Sequence, residues 1–176
     1  MMEKRIRLRA LTKSDIQKTL KWHNNEIIKE LYAGHPFPVN WELEEKWYEK
    51  ILTSNFPTTV FGIEIIENSL LIGISVLKNI DLMNGKAEYA IFLGDENVRA
   101  KGFAKEATLL TLEFGFGKMR LERIYLFVLE ENINAIILYE RCGFVKEGLI
   151  RKSAFRNFEY KNEMLMAILK DEFKRM

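Results

Sequence analysis

Arg99-Ala100-Lys101-Gly102-Phe103-Ala104, followed later by Asn132-Ile133-Asn134-Ala135 and Leu138-Tyr139-Glu140-Arg141-Cys142-Gly143-Phe144, is the stretch whose reading decides the fold. A β-rich run at 87–93 leads through Gly94-Asp95-Glu96-Asn97 into it. The apolar periodicity then predicts a long helix from about Gly102 to Phe116, a strand over 123–129 and a short helix over 134–141. Gly143 suits the left-handed position that ends such a helix. Strands near 144–148 and 164–169 follow, joined by a hairpin rim at Phe155-Arg156-Asn157-Phe158-Glu159-Tyr160. The unit is strand, helix, strand.

Upstream the grammar is different. Ile6-Arg7-Leu8-Arg9-Ala10 alternates like a half-buried strand, and Thr12-Lys13-Ser14-Asp15 supplies N-cap chemistry for a helix carrying Ile16, Thr19, Leu20 and Trp22. A second helix is predicted over 41–52, with Leu43, Trp47 and Ile51 as its inner face; the loop before it is shaped by Gly34, Pro36 and Pro38. Two β-rich runs, 59–66 and 70–77, flank Glu67-Asn68-Ser69 and read as a hairpin. Antiparallel strands first and a strand-helix-strand unit second describe one mixed α+β domain over residues 1–176.

Composition narrows the function. The chain has 27 Lys plus Arg against 25 Asp plus Glu, so a net charge of +2 gives no general reason for a nucleic-acid or membrane partner. Its one cysteine, Cys142, excludes an internal disulfide framework, and Met1-Met2-Glu3-Lys4-Arg5 lacks the apolar core of a signal peptide, which together suit the cytoplasm. No Cys or His pair has ligand spacing, so no metal is expected. Neither a Gly-Lys-Ser/Thr phosphate loop nor a Gly-x-Gly-x-x-Gly fingerprint is present.

A strand, a short connection and a Gly-containing turn into a long helix aim backbone N–H groups and a helix dipole at a phosphate. Gly102 permits close approach of a ligand, Ala104 keeps the packed side of the turn small, and Lys101 and Lys105 add charge. Taken by itself the segment equally suits an ordinary helix start. Tyr139 stands near the end of the short helix; a phenol with pKa about 10 is protonated at neutral pH and can protonate a thiolate. A buried aromatic with one satisfied hydroxyl is the alternative.

Arg99-x-x-Gly102-x-Ala104 joined to Asn132-x-x-Ala135-x-x-Leu138-Tyr139-Glu140-x-x-Gly143-Phe144 resembles the acetyl-CoA signature of the GNAT acetyltransferases, in particular their RimJ/RimL-like and diamine-acetyltransferase-like branch. Ile6-Arg7-Leu8-Arg9-Ala10 with Ser14-Asp15, Leu71-Ile72-Gly73 and Gly143-Phe144-x-x-Glu147-Gly148 extend the likeness over most of the chain. The resemblance implies a mainly antiparallel central sheet flanked by helices, with a bulged strand splayed from its neighbour to form a slot for CoA. Amides of Arg99, Ala100, Lys101, Gly102, Phe103, Ala104 and Lys105 would hold the diphosphate. The edge at Ile91, Phe92 and Leu93 would pair with the pantetheine arm, with Asn132 and Ala135 beside it, and Tyr139 would act as general acid. The implied reaction is direct attack of a neutral amine on the thioester, with acetyl-CoA as co-substrate and no covalent enzyme intermediate.

Glu88, on the strand that reaches the thioester, resembles a glutamate of polyamine-acetylating members and is the candidate base; a structural ion pair is the equal alternative. For the acceptor, Trp22, Asn24, Tyr32 and His35 are the candidate contacts, and His23 and His35 the candidate imidazoles. Polyamine enzymes of the branch carry several acids where this chain has Leu31-Tyr32-Ala33-Gly34-His35-Pro36-Phe37-Pro38-Val39, a departure that points toward less charged amines. Peptide N-termini, small amines or polyamines, and amino sugars stay open. The branch often has an aspartate where this chain has Asn162, which puts a structural contact in doubt. A homodimer through the C-terminal strands or the rim is compatible with the family, and an acyl-CoA-binding sensor or scaffold without turnover is the competing reading.

Overall fold

The computed structural model describes residues 4–31, 37–53 and 56–174. Strand β1 (Ile6–Arg9) is followed by a 3-10 turn (Lys13–Asp15) and helices α1 (Ile16–His23), α2 (Glu26–Leu31) and α3 (Trp41–Thr53). Then come β2 (Thr59–Ile65), β3 (Leu70–Asp81), β4 (Lys86–Leu93), α4 (Phe103–Gly117), β5 (Arg123–Leu129), α5 (Ile133–Arg141), β6 (Val145–Arg156) and β7 (Glu159–Leu169). The seven strands lie in the order β1-β2-β3-β4-β5-β7-β6, antiparallel throughout except for β4 and β5. No helix among the described residues is long and apolar enough to cross a membrane.

The sheet is covered on both faces. Ala107, Leu112 and Phe116 of α4 pack with Leu77, Ala87, Tyr89 and Ile124 on one side. On the other, Ile16 and Trp22 of α1, Ile28 of α2 and Tyr48 of α3 pack with Leu71 and Ile74. Strand β4 alternates between the layers: Ala87, Tyr89, Ile91 and Leu93 join the α4 core, while Phe92 packs toward α1. Polar groups inside the α4 layer are satisfied, Tyr89 donating to Thr108 (3.0 Å) and Ser75 bonding Thr111 (2.6 Å).

The entry to α1 is pinned by charge. Asp15 accepts from the Thr12 amide (2.7 Å) and from Arg9 (2.7 and 3.0 Å), while Arg9 also bonds Glu64 on β2, which Arg7 holds from the neighbouring position (2.6 Å). Burial alone would raise the carboxyl groups of Asp15 and Glu64, but their bonds to the arginines, joined at Asp15 by the amide and hydroxyl of Thr12, outweigh it and both are lowered.

Two expectations change, and one element is new. Helix α2 occupies residues for which the sequence gives no assignment: Asn25 caps it by accepting from the Ile28 amide (3.1 Å), and six residues are too few to show a helical period. The inner face of α3 is Glu44 and Tyr48, with Trp47 and Ile51 half-buried and Leu43 51% exposed. That helix is rotated by about one residue, ~100°, which puts Tyr48 in the apolar layer and Glu44 against His23. Finally, β6 and β7 form one long hairpin instead of two short strands, closed by Asn157 and Phe158 with φ of 49° and 62°, the signature of a primed turn. Residues 145–153 of β6 are exposed on both faces, so no alternation marks them. Asn162 keeps a structural contact: its amide donates to Glu130 (2.9 Å) and its oxygen accepts from the Lys152 amide (3.0 Å).

Candidate active site

Strand β4 pairs with β5 only where Lys86, Ala87 and Glu88 face Arg123, Ile124 and Tyr125; from Tyr89 to Leu93 the two strands are apart. Strand β5 is paired along its full length to β7, so its direction follows that strand and leaves the edge of Ile91, Phe92 and Leu93 unmatched by β5. The β3–β4 register is continuous from Leu93 to Glu88 and slips only between Lys78 and Asp81, where Asn79 has φ +50°. The irregularity therefore lies on β3, a correction to the bulge expected on β4, and the slot opens through the departure of β5.

Helix α4 begins beside this slot. Its N-cap, Gly102, has φ +84° and brings no side chain to the helix end, and Ala100 is also left-handed (φ +59°). The first amides of a helix have no carbonyl partner within it, so Phe103, Ala104 and Lys105 present N–H groups at the positive end of the dipole. Arg5 braces the turn: it donates to the Lys101 carbonyl (3.0 Å), lies over the Phe103 ring (4.7 Å) and pairs with Glu106 (3.2 Å), whose other oxygen accepts the Arg5 and Ile6 amides. Arg5 and Glu106 carried no motif signal, since both look like ordinary surface charges in the sequence. Arg99, Lys101 and Lys105 are exposed, whereas the Phe103 ring is in the core, so that residue offers only its backbone.

Across the slot, Asn132 caps α5 by accepting from the Ala135 amide (3.2 Å), which engages its side-chain oxygen in the helix end. Ala135 and Tyr139 lie one turn apart on the same face. Tyr139 is buried and packs edge-on against Tyr89 of β4 (6.3 Å between centroids) and Phe144 (5.6 Å). A Schellman closure holds it there: the Phe144 amide donates to the Tyr139 carbonyl (3.0 Å) and the Gly143 amide to Glu140 (3.0 Å), with Gly143 at φ +98°. Cys142, one turn further, is buried, and burial pushes its thiol up to about 11, well away from a nucleophilic thiolate.

The opposite face of β4 looks into a cavity of about 530 Å³ roofed by α1, α2 and α3. Its lining includes His23, Glu44, Trp47, Lys78, Ala90 and Phe92. The His23 imidazole sits edge-on to Trp47 (4.9 Å) and Phe92 (6.2 Å), and its Nδ1–H donates to Glu44 Oε2 (2.7 Å). Glu44 is 1% exposed, and its other oxygen, Oε1, has no hydrogen-bond partner. Such a group costs about 1–3 kcal/mol in desolvation, more when charged. Sequence reasoning missed Glu44, because a glutamate in Trp41-Glu42-Leu43-Glu44-Glu45 reads as the wet side of a helix. A second groove of similar volume, between β1, β2 and α4, does not touch β4.

The remaining acceptor candidates fall differently. Trp22 is buried against Phe92 (5.9 Å) and the backbone of Gly94, a core residue and not part of the cavity lining. Asn24 clamps the chain: its amide donates to the Leu20 and Val39 carbonyls (3.1 and 2.8 Å) and its oxygen accepts the Val39 amide (2.9 Å). It shapes the cavity through Val39, a lining residue. Tyr32 and His35 lie outside the described residues. Glu88 faces Lys78 (2.9 Å) and Asn79 (2.8 Å), so the ion pair exists; its charge is also a secondary cause, after burial, of the raised Tyr125 hydroxyl.

A parallel pair that parts beside an open helix N-terminus, with a tyrosine at the parting and a cavity beneath the same strand, defines an acetyl-CoA-dependent N-acetyltransferase acting on an amine. The family model described as acetyltransferase (GNAT) domain matches residues 5–145, and the chain belongs to that family. It is 33% identical over 172 residues to the spermidine N(1)-acetyltransferase of Vibrio cholerae, covering 98% of this chain and 97% of that one. It is 27% identical over 168 residues to that of Escherichia coli K12, covering 96% and 88%. The fold superposes on the crystal structure of the V. cholerae spermidine N-acetyltransferase in complex with CoA and spermine with a TM-score of 0.90, at 30% identity and 97% and 98% coverage.

Proposed function

We propose that this enzyme acetylates a primary amine of an aliphatic polyamine or diamine by direct attack within a ternary complex. One observation carries the reading: β4 serves both halves of the site, Ile91 and Phe92 belonging to the edge released by β5 and to the lining of the cavity on the other side. An acetyl group held along that edge is within reach of an amine held in that cavity. The methylene chain of a polyamine suits the apolar lining of Ile28, Val39, Val60, Ile74 and Val76, and the relatives named above support the same class. That choice sets aside the less charged amines suggested by the acid-poor segment 31–39.

In this reading the amides of 103–105 and the turn at 99–102 bind the diphosphate, Asn132 and Ala135 flank the arm, and Tyr139 gives its proton to the departing thiolate. The ammonium proton leaves through Glu88; both of its oxygens are bonded to Lys78 and Asn79, so transfer runs through water. A β4 amide polarises the thioester carbonyl. The buried, protonated Cys142 supports direct transfer, and a reducing cytoplasm suits that free thiol. The uncovered β6 edge supports a homodimer.

The test is CoA release from acetyl-CoA with spermidine, spermine, putrescine, N-terminal peptides and amino sugars. Turnover concentrated in the first three supports the proposal. Turnover confined to peptides or amino sugars refutes it.

A further inference from the structure

We infer that Glu44 is the specificity residue of the acceptor cavity, its Oε1 receiving a second ammonium group of the substrate while His23 fixes the carboxylate from behind. The inference rests on the polyamine or diamine reading given above. Among the described residues four titratable groups line the cavity: His23, Lys29, Glu44 and Lys78. Lys29 is paired with Glu26 (3.2 Å) and Lys78 with Glu88 (2.9 Å), so each lysine is neutralised by a neighbour. What is left is the buried carboxyl group of Glu44, with His23 on one of its two oxygens.

The geometry at Glu44 is one-sided. Oε2 is taken by His23 at 2.7 Å, and Oε1 is withdrawn from solvent without a hydrogen-bond partner. Among the described residues the other buried side-chain atom in that condition is Arg156 Nε, at the end of β6 and outside the cavity. A buried carboxylate oxygen accepts most strongly from a cationic N–H, and an alkylammonium brings that donor together with methylenes that fit the apolar walls. His23, wedged between Trp47 and Phe92, cannot swing away without breaking both ring contacts, so Oε2 stays engaged and Oε1 is the oxygen left without a partner. His23 is thus a positioning residue. One carboxylate recognises one ammonium beyond the reacting amine, which distinguishes a diamine or polyamine from a monoamine of equal length without the acid-rich loop that this chain lacks.

The experiment compares the wild type and Glu44→Gln with spermidine, 1,4-diaminobutane and 1-aminobutane. The substitution keeps the side chain's volume, and an unchanged thermal shift with acetyl-CoA verifies fold and donor site. The expected result is KM raised about 10- to 100-fold for the two polycationic acceptors with kcat within about threefold, and no change in kcat/KM for 1-aminobutane. Glu44→Asp, which keeps the charge but withdraws it, should lie between the two, and His23→Gln should raise the same KM without altering acetyl-CoA binding. Equal losses on 1-aminobutane, or a fall in kcat with KM unchanged, would overturn the inference by making Glu44 structural or part of proton transfer. If Glu44→Gln does not retain the acetyl-CoA shift, Glu44→Asp decides alone: wild-type KM for spermidine overturns the inference, a raised one supports it. A wild type that acetylates none of the polycations overturns the function reading itself, and this inference with it.

Discussion

Replacing Gly102 by alanine isolates the contribution of one backbone conformation to acetyl-CoA binding. Gly102 holds φ +84° and ψ 0° at the mouth of α4, a left-handed state that costs an L-residue about 1–2 kcal/mol. Space is the smaller issue: an added Cβ would meet Arg5 Nη2 at 3.3 Å, the far end of a half-exposed side chain that can give way. If the turn keeps its shape, stability falls by that 1–2 kcal/mol, and at roughly 2–4 °C per kcal/mol for a chain of this size Tm falls by about 2–8 °C. If the turn relaxes instead, the amides of 103–105 rotate away from the diphosphate. Losing one charge-assisted hydrogen bond of about 1.5–3 kcal/mol then weakens acetyl-CoA about 10- to 100-fold. Titration calorimetry with acetyl-CoA and with acetyl-pantetheine, which lacks the diphosphate, separates these outcomes: only the former should weaken. Gly102→Asn, which tolerates the left-handed state, should lie closer to wild type. Wild-type Tm and wild-type acetyl-CoA affinity for Gly102→Ala, or equal weakening of both ligands, would refute the reasoning.

Tyr139→Phe should lower kcat by about 100-fold or more while leaving acetyl-CoA binding intact; an unchanged kcat across the pH range removes Tyr139 from the acid role. Arg9→Met strips the buried carboxylate of Asp15 of its cation and leaves that of Glu64 to Arg7 alone, and should cost about 3 kcal/mol, a Tm loss of roughly 6–12 °C. Because both carboxyl groups are lowered in the folded state, that stabilisation is full above their unfolded values near 4 and disappears as the pH falls through the folded ones; the gap between wild type and variant in denaturant melts should narrow there. Cys142, buried with its thiol pushed up to about 11, should resist a disulfide reagent at pH 8 in the native protein and react at once in denaturant.

What the sequence made legible is what local chemistry and burial write into it. The boundaries of β5, the helix start at Gly102 and the stop at Gly143 follow from residue types that tolerate few backbone states, and β4 alternates because its two faces meet two different cores. The residues proposed for the donor half fall within 99–144, close together in the chain, where such local signals are strongest. The cavity proposed for the acceptor is assembled from α1, α2, α3, β3 and β4, and its buried Glu44 was hidden because an inward glutamate has no local signature; only the fold brings it to His23, 21 residues away. Trp22 and Asn24 were assigned to that half by position, but Trp22 packs into the core and Asn24 holds the Val39 backbone. The full length of β6 was illegible for the opposite reason: a strand exposed on both faces carries no period.

The central claim, direct transfer across β4 without an acyl-enzyme, is tested most directly by initial-rate kinetics with acetyl-CoA and spermidine varied together. The account predicts intersecting reciprocal lines, one CoA thiol released per acetylated amine and no release without amine. Parallel lines with a stoichiometric burst of CoA before amine is added would contradict it.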